Sequence, residues 1–124
     1  MHARLRASCI AIKSETISVV SIIGRFLEHS RIYWFYNAGE PEVFIGSADW
    51  MPRNLDRRVE AVTPVDDPNL RNQLEWLLEL YLNDNWGAWD MQSDGTFALR
   101  YPDGNVCSSQ LQLISLWKQS APAV

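Results

Sequence analysis

The fold is decided by residues 31–46, RIYWFYNAGEPEVFIG, which have the pattern of a β-hairpin. Residues 31–36 are rich in aromatic and β-branched side chains, and residues 42–46 have the same character. Between them, residues 37–41 contain Asn, Gly and Pro, which favour tight turns. The stretch therefore predicts two strands joined as a hairpin.

Further elements are predicted on both sides of this hairpin. A β-branched run predicts a buried strand over residues 17–23, and alternating side chains predict another over 58–62, after a loop at 50–54. Asp67-Pro68 is a helix start signal, and apolar residues then recur at helical spacing as far as Tyr81. A short helical piece through Trp86 and Trp89, a strand over 96–101 and a helix over 108–118 follow. The predicted class is α+β, a mixed β-sheet packed by helices.

Length and composition predict one domain. A chain of 124 residues with 47% apolar side chains can bury a single core. We therefore expect one domain over residues 1–124, with residues 1–14 and 119–124 poorly ordered.

The charge distribution restricts the class of partner. The net charge is −4, but eight of the eleven basic residues lie at or before Arg58. An acidic total argues against general nucleic-acid binding, whereas a local anion site is favoured in the first half. No run approaches the ~20 apolar residues of a membrane span. The widely separated Cys9 and Cys107 lack metal-ligand spacing, so we expect reduced thiols and a cytoplasmic protein.

Candidate anion-binding residues cluster around the hairpin. His29 and Arg31 are two positions apart at the entry to a predicted strand, so extended geometry places both side chains on one face. Ser47 follows the neighbouring strand, where a hydroxyl or backbone N–H group can bind a phosphate oxygen. Arg53 adds a forked donor suited to phosphate. Each residue alone fits a structural role, and the combination favours a phosphate site.

The combination resembles a known motif. His-x-Arg followed by Gly-Ser-x-Asp resembles the histidine half-motif of phospholipase D-like phosphotransferases, in which the pattern is His-x-Lys and Gly-Ser-x-Asn. Arg31 and Asp49 are the two departures from it.

Residues 21–33 and 45–60 resemble more specifically the last domain of bacterial polyphosphate kinase, a single phospholipase D-like domain. The resemblance implies reversible transfer of the terminal phosphate of ATP to polyphosphate through a phosphohistidine, with Mg²⁺. It also implies that His29 is the second active-site histidine and that the phosphorylated histidine belongs to the preceding domain. Arg6, in Arg6-Ala7-Ser8-Cys9, resembles a family segment that supplies an arginine to the nucleotide phosphates. We assign no metal ligand in this chain.

Three functional interpretations remain open at this point. The first is a polyphosphate kinase half-site that binds phosphate or nucleotide, needs the remaining domains of the enzyme and is inactive alone. The second is a homodimeric phospholipase D-like phosphodiesterase, and the third is a stand-alone anion-binding or structural cassette without catalysis. Exposed aromatic side chains are consistent with a homodimer.

Overall fold

A computed structural model describes residues 17–120 and shows an α+β fold. In chain order the elements are β1 (Val20–Ile22), β2 (Ile32–Phe35), a 3-10 turn (Asn37–Gly39), β3 (Glu42–Gly46), α1 (Pro52–Arg57), β4 (Val62–Pro64), α2 (Pro68–Leu82), β5 (Ala88–Met91), β6 (Phe97–Leu99) and α3 (Ser109–Ser120). The predicted class is confirmed. Every strand pairing among these residues is antiparallel, however, and the strands form two sheets where one mixed sheet was expected.

The described residues divide into two compact units, His29–Glu79 and residues 17–28 with 80–120. The prediction of one domain over residues 1–124 stays a prediction, and residues 1–14 lie outside the described part of the chain. Residues 119 and 120, which were expected to be poorly ordered, belong to α3.

The unit His29–Glu79 is built on the sheet β2-β3-β4. The predicted hairpin is confirmed, with Ile32 opposite Ile45 and Phe35 opposite Glu42. Its turn places Asn37 and Ala38 at φ values of 42° and 55°, a left-handed conformation that asparagine tolerates better than alanine. Because β2 and β3 are antiparallel neighbours, the start of β2 and the end of β3 lie side by side.

The other unit is built on the sheet β1-β5-β6. The helical piece predicted through Trp86 and Trp89 is wrong, because Ala88–Met91 is the central strand β5 and pairs with both neighbours. The buried apolar residues of this unit are Val19, Ile22, Leu80, Tyr81 and Ala88.

Local signals explain where the helices begin. Asp67 accepts hydrogen bonds from the backbone N–H groups of Asn69 (2.8 Å) and Leu70 (3.0 Å), so the predicted cap of α2 is confirmed. The loop predicted at 50–54 holds only for residues 50 and 51, because α1 begins at Pro52, a residue suited to the first helical position. The strand predicted at 58–62 is displaced to Val62–Pro64.

Candidate functional site

The candidate site lies where β2 begins and β3 ends. The backbone N–H of Gly46 donates to the carbonyl of Arg31 at 3.0 Å, which extends the ladder by one step beyond Ile32 and Ile45. Ser47 and Asp49 follow β3 directly, while His29 and Arg31 directly precede β2. The hairpin therefore brings together residues that are 16 to 20 positions apart in the sequence.

Arg31 is engaged by partners within the protein through all three guanidinium nitrogens. Its Nε and Nη2 atoms lie 2.9 and 2.6 Å from Oδ1 of Asp49, forming an ion pair. Nη1 donates to the backbone carbonyl of His29 at 2.7 Å, and Nη2 lies 3.2 Å from His29 Nδ1. The side chain of Arg31 is only 18% exposed, against 33% for Asp49, so the pair is partly shielded from solvent.

The contact with Arg31 determines which nitrogen of His29 carries the proton. A guanidinium group can only donate hydrogen bonds, so Nδ1 must be the acceptor when this contact is made. A neutral ring then carries its proton on Nε2, and this atom has no hydrogen-bond partner within residues 17–120. Because His29 is exposed, its Nε2–H group can donate to an anion.

Ser47 also forms internal hydrogen bonds. Its hydroxyl donates to Oε2 of Glu60 at 2.5 Å and accepts from the backbone N–H of Ala61 at 3.0 Å. Its own backbone N–H donates to the carbonyl of Ala61. Ser47 therefore follows Gly46, the residue whose backbone pairs with Arg31, but its polar groups bind the segment that leads into β4.

Arg53 lies on α1 with its side chain exposed and with no hydrogen bond or ion pair to any described residue. The turn before it is held by two hydrogen bonds to the carbonyl of Asp49: the backbone N–H of Met51 donates at 2.7 Å, and the side-chain Nδ2 of Asn54 donates at 3.3 Å. Asn54 is 3% exposed, so this helix is fixed to the end of β3. The structure does not show Arg53 in contact with His29, Arg31 or Ser47.

Residues 2–110 of the chain match the family described as Polyphosphate kinase C-terminal domain 2. The chain belongs to the polyphosphate kinase family. It is 74% identical over 111 residues to a polyphosphate kinase of Parasynechococcus marenigrum and 65% identical over 112 residues to one of Prochlorococcus marinus. These alignments cover 88% and 89% of this chain and 16% of each relative.

A solved structure shows the same fold. The crystal structure of polyphosphate kinase from Porphyromonas gingivalis matches with a TM-score of 0.77 and 39% identity, over 85% of this chain and 16% of that one. The predicted resemblance to the last domain of polyphosphate kinase is therefore confirmed. The chain spans about a sixth of the length of these relatives.

Binding of a metal ion by the described residues would require several ligand side chains that lie together. Within residues 17–120 no three His, Cys, Asp or Glu side chains are grouped as metal ligands would be. The acidic groups at the site are also engaged, Asp49 by Arg31 and Glu60 by Ser47. Arg6 lies outside the described residues, and no described helix is both long and apolar enough to cross a membrane.

Sequence reasoning missed that Asp49 is the partner of Arg31. A signal was present, because the two departures from the phospholipase D-like motif have opposite charges and occupy positions that the hairpin brings together. Trp50 was also missed as a site neighbour. Its ring stacks on Tyr33 at 5.9 Å, and its Nε1 donates to the Tyr33 hydroxyl at 3.2 Å.

Proposed function

We propose that this chain supplies one half of the phosphotransfer site of polyphosphate kinase, in which His29 contacts the phosphate that moves between ATP and polyphosphate. The observation that carries the proposal is the exposed imidazole of His29, with Nδ1 held by Arg31 and Nε2 left open. Family membership supplies the substrate class: the relatives are polyphosphate kinases.

The chemistry required of such a half-site is positioning and charge compensation. Phosphoryl transfer passes through a loose transition state whose charge spreads over the equatorial oxygens, and hydrogen-bond donors aimed at those oxygens lower the barrier. The Nε2–H group of His29 is such a donor. Arg53 carries an exposed guanidinium group that would bind the same anion or a neighbouring phosphate of the chain.

Arg31, Ser47 and Arg6 complete the proposed phosphate-binding set in different ways. Arg31 brings a positive charge close to His29, but Asp49 compensates part of it. Ser47 would reach a phosphate oxygen by exchanging its hydrogen bond to Glu60. Arg6 is assigned by the family resemblance alone.

We assign the phosphorylated histidine to another part of the enzyme. The chain contains two histidines, His2 and His29, and it spans 16% of its polyphosphate kinase relatives. A histidine nucleophile must stand opposite the incoming phosphate, and His29 already has the role of donor. The isolated chain therefore binds phosphate or nucleotide without transferring it.

The proposal is tested in a chimera in which this chain replaces the matching 111 residues of the Parasynechococcus marenigrum enzyme. His29→Ala should lower kcat for polyphosphate synthesis from ATP about 100-fold or more, the usual effect of removing a transition-state donor. His29→Gln should retain more activity, because its amide can place an N–H group near the position of Nε2. The exposed Asn72→Ala on α2 is the control and should leave kcat unchanged.

Two results would contradict the proposal. One is full activity of the His29→Ala chimera, which would remove His29 from the transfer step. The other is robust polyphosphate synthesis by the 124-residue chain alone, which would contradict the half-site assignment.

A further inference from the structure

We propose that Asp49 is a positioning residue for His29 and acts through Arg31, so that these three side chains, the Asp49–Arg31–His29 triplet, hold the imidazole in one tautomer and orientation. The inference rests on the proposed function for its catalytic meaning. Its structural content stands on the contacts of the three residues.

The first link joins Asp49 to Arg31. One carboxylate oxygen, Oδ1, receives both Nε (2.9 Å) and Nη2 (2.6 Å). Two donors on one side of the planar guanidinium group fix its rotation about the side chain, which a single hydrogen bond would not do. Without the carboxylate, Arg31 would keep only its contacts with His29.

The second link joins Arg31 to His29. The same Nη2 atom that meets Asp49 also lies 3.2 Å from His29 Nδ1, while Nη1 holds the carbonyl of His29 at 2.7 Å. Arg31 therefore forms hydrogen bonds with both the backbone and the ring of His29. The ring cannot turn over to present Nδ1 outward without losing the contact, so Nε2–H remains the outward donor.

The third link fixes Asp49 itself to the hairpin and α1. Its carbonyl accepts from Met51 N–H at 2.7 Å and from the buried Asn54 side chain at 3.3 Å. Gly46 N–H binds the carbonyl of Arg31 at 3.0 Å. Both ends of the ion pair thus stand on paired backbone, which is the rigid support that a positioned catalytic group requires.

The charge and shape of both residues are required by this arrangement. An asparagine at position 49 would offer an uncharged acceptor and a competing N–H group. A lysine at position 31 would provide one ammonium group, which cannot hold the carboxylate, the ring nitrogen and the carbonyl with the fixed geometry of a guanidinium fork. The two departures from the His-x-Lys and Gly-Ser-x-Asn pattern therefore act as a pair.

The structural test uses ¹⁵N NMR of the full 124-residue chain at mildly alkaline pH, where imidazoles are neutral. In the wild type, His29 should be entirely in the Nε2–H form, and the Arg31 Nε–H signal should exchange slowly with water. Asp49→Asn should introduce the Nδ1–H form and speed Arg31 Nε–H exchange by roughly tenfold. The control, Asp56→Asn on α1, removes an exposed carboxylate with no such contact and should change neither signal.

A folded Asp49→Asn chain with wild-type His29 and Arg31 signals would overturn the triplet. If that variant does not fold, Arg31→Lys provides the same comparison, with the exposed Arg57→Lys as its control. Retention of the wild-type His29 tautomer in folded Arg31→Lys would overturn the triplet as well.

The catalytic test uses the chimera. Asp49→Asn should lower kcat about tenfold and leave the KM for ATP within about twofold, because orientation of the donor matters most in the transition state. Changing His29 to alanine first should abolish the effect of Asp49→Asn, whereas a general loss of stability would persist. Failure of the NMR changes rejects the triplet, whereas full activity of the His29→Ala chimera rejects the proposed function and leaves the NMR result standing.

Discussion

Arg31 contacts both Asp49 and His29 because a guanidinium group carries donors on three nitrogen atoms. The sequence suggested a phosphate ligand at this position, on the basis of charge and spacing alone. In the structure the same donors are directed to protein acceptors, which favours a positioning role. At the scale of a single residue, the role of Arg31 therefore depends on the acceptors that its guanidinium group binds in the folded chain.

Asp84 is a second residue whose partners define its role. It is 1% exposed, and its carboxylate accepts from the backbone N–H groups of Trp86 (3.1 Å), Gly87 (3.0 Å) and Ser109 (2.7 Å) and from the Ser109 hydroxyl (2.7 Å). One buried carboxylate thus accepts the hydrogen bonds of the turn before β5 and of the first residue of α3. This role is structural.

Replacing Asp84 by alanine should lower the free energy of unfolding by about 3 kcal/mol, because several buried donors lose their acceptor together. Urea unfolding followed by circular dichroism measures the change. Asp103→Ala, which removes an exposed carboxylate, is the control and should stay within about 0.5 kcal/mol of the wild type. A similar small effect for both variants would show that the Asp84 network contributes little.

At the scale of elements, α2 and the hairpin were predictable because their signals are local. α2 has a capping aspartate, a proline at its start and apolar residues at helical spacing, all within Pro68–Leu82 and the residue before it. The hairpin has a turn cluster between two aromatic-rich runs. β5 was misassigned because its strand state depends on pairing with β1 and β6, and β1 is far away in the sequence: Asp90 pairs with Val20, 70 positions earlier.

The cap of α2 gives a prediction at this scale. Asp67→Ala should lower the free energy of unfolding by about 1 kcal/mol, because the N–H groups of Asn69 and Leu70 lose their side-chain acceptor. Asp66→Ala removes the neighbouring exposed carboxylate and should cost less than about 0.5 kcal/mol. Equal effects in a urea titration would mean that charge, and not capping, accounts for the change.

At the scale of the whole molecule, two aspartates make the free energy of unfolding depend on pH in the acid range. Burial raises the pKa of Asp84, but hydrogen bonds from Gly87 and Ser109 more than offset this and leave the pKa below its ordinary value of 3.8. The hydrogen bonds from Arg100, at 2.7 Å to each oxygen, lower the pKa of Asp90 despite partial desolvation. Both groups bind protons more weakly in the folded chain than in the unfolded chain.

The stability that these two carboxylates contribute should therefore be fully present above about pH 4 to 5. It should be lost as the pH falls below 3.8 through the lower pKa values of the folded chain. Urea unfolding at neutral and at acid pH measures the loss. Asp90→Asn should flatten part of this dependence, by a modest amount because the Asp90 side chain is 41% exposed. An unchanged pH slope in that variant would contradict the contribution of the Arg100–Asp90 pair.

Many large apolar side chains are exposed in both units. Trp50, Trp86 and Trp117 are 68%, 60% and 71% exposed. The chain covers about a sixth of its relatives, so the remaining domains of polyphosphate kinase are proposed partners of such surfaces. The homodimer and the cytoplasmic location stay predictions.

The sequence by itself determined the family, the hairpin, the capped helix and the proximity of His29 to Arg31, because each of these depends on residues close together in the chain. Only the tertiary structure decided that Asp49 takes the donors of Arg31 and that Glu60 takes the hydroxyl of Ser47. These partners lie 18 and 13 positions apart. Hydrogen bonds at such separations are set by strand register and side-chain direction, which local sequence patterns do not encode.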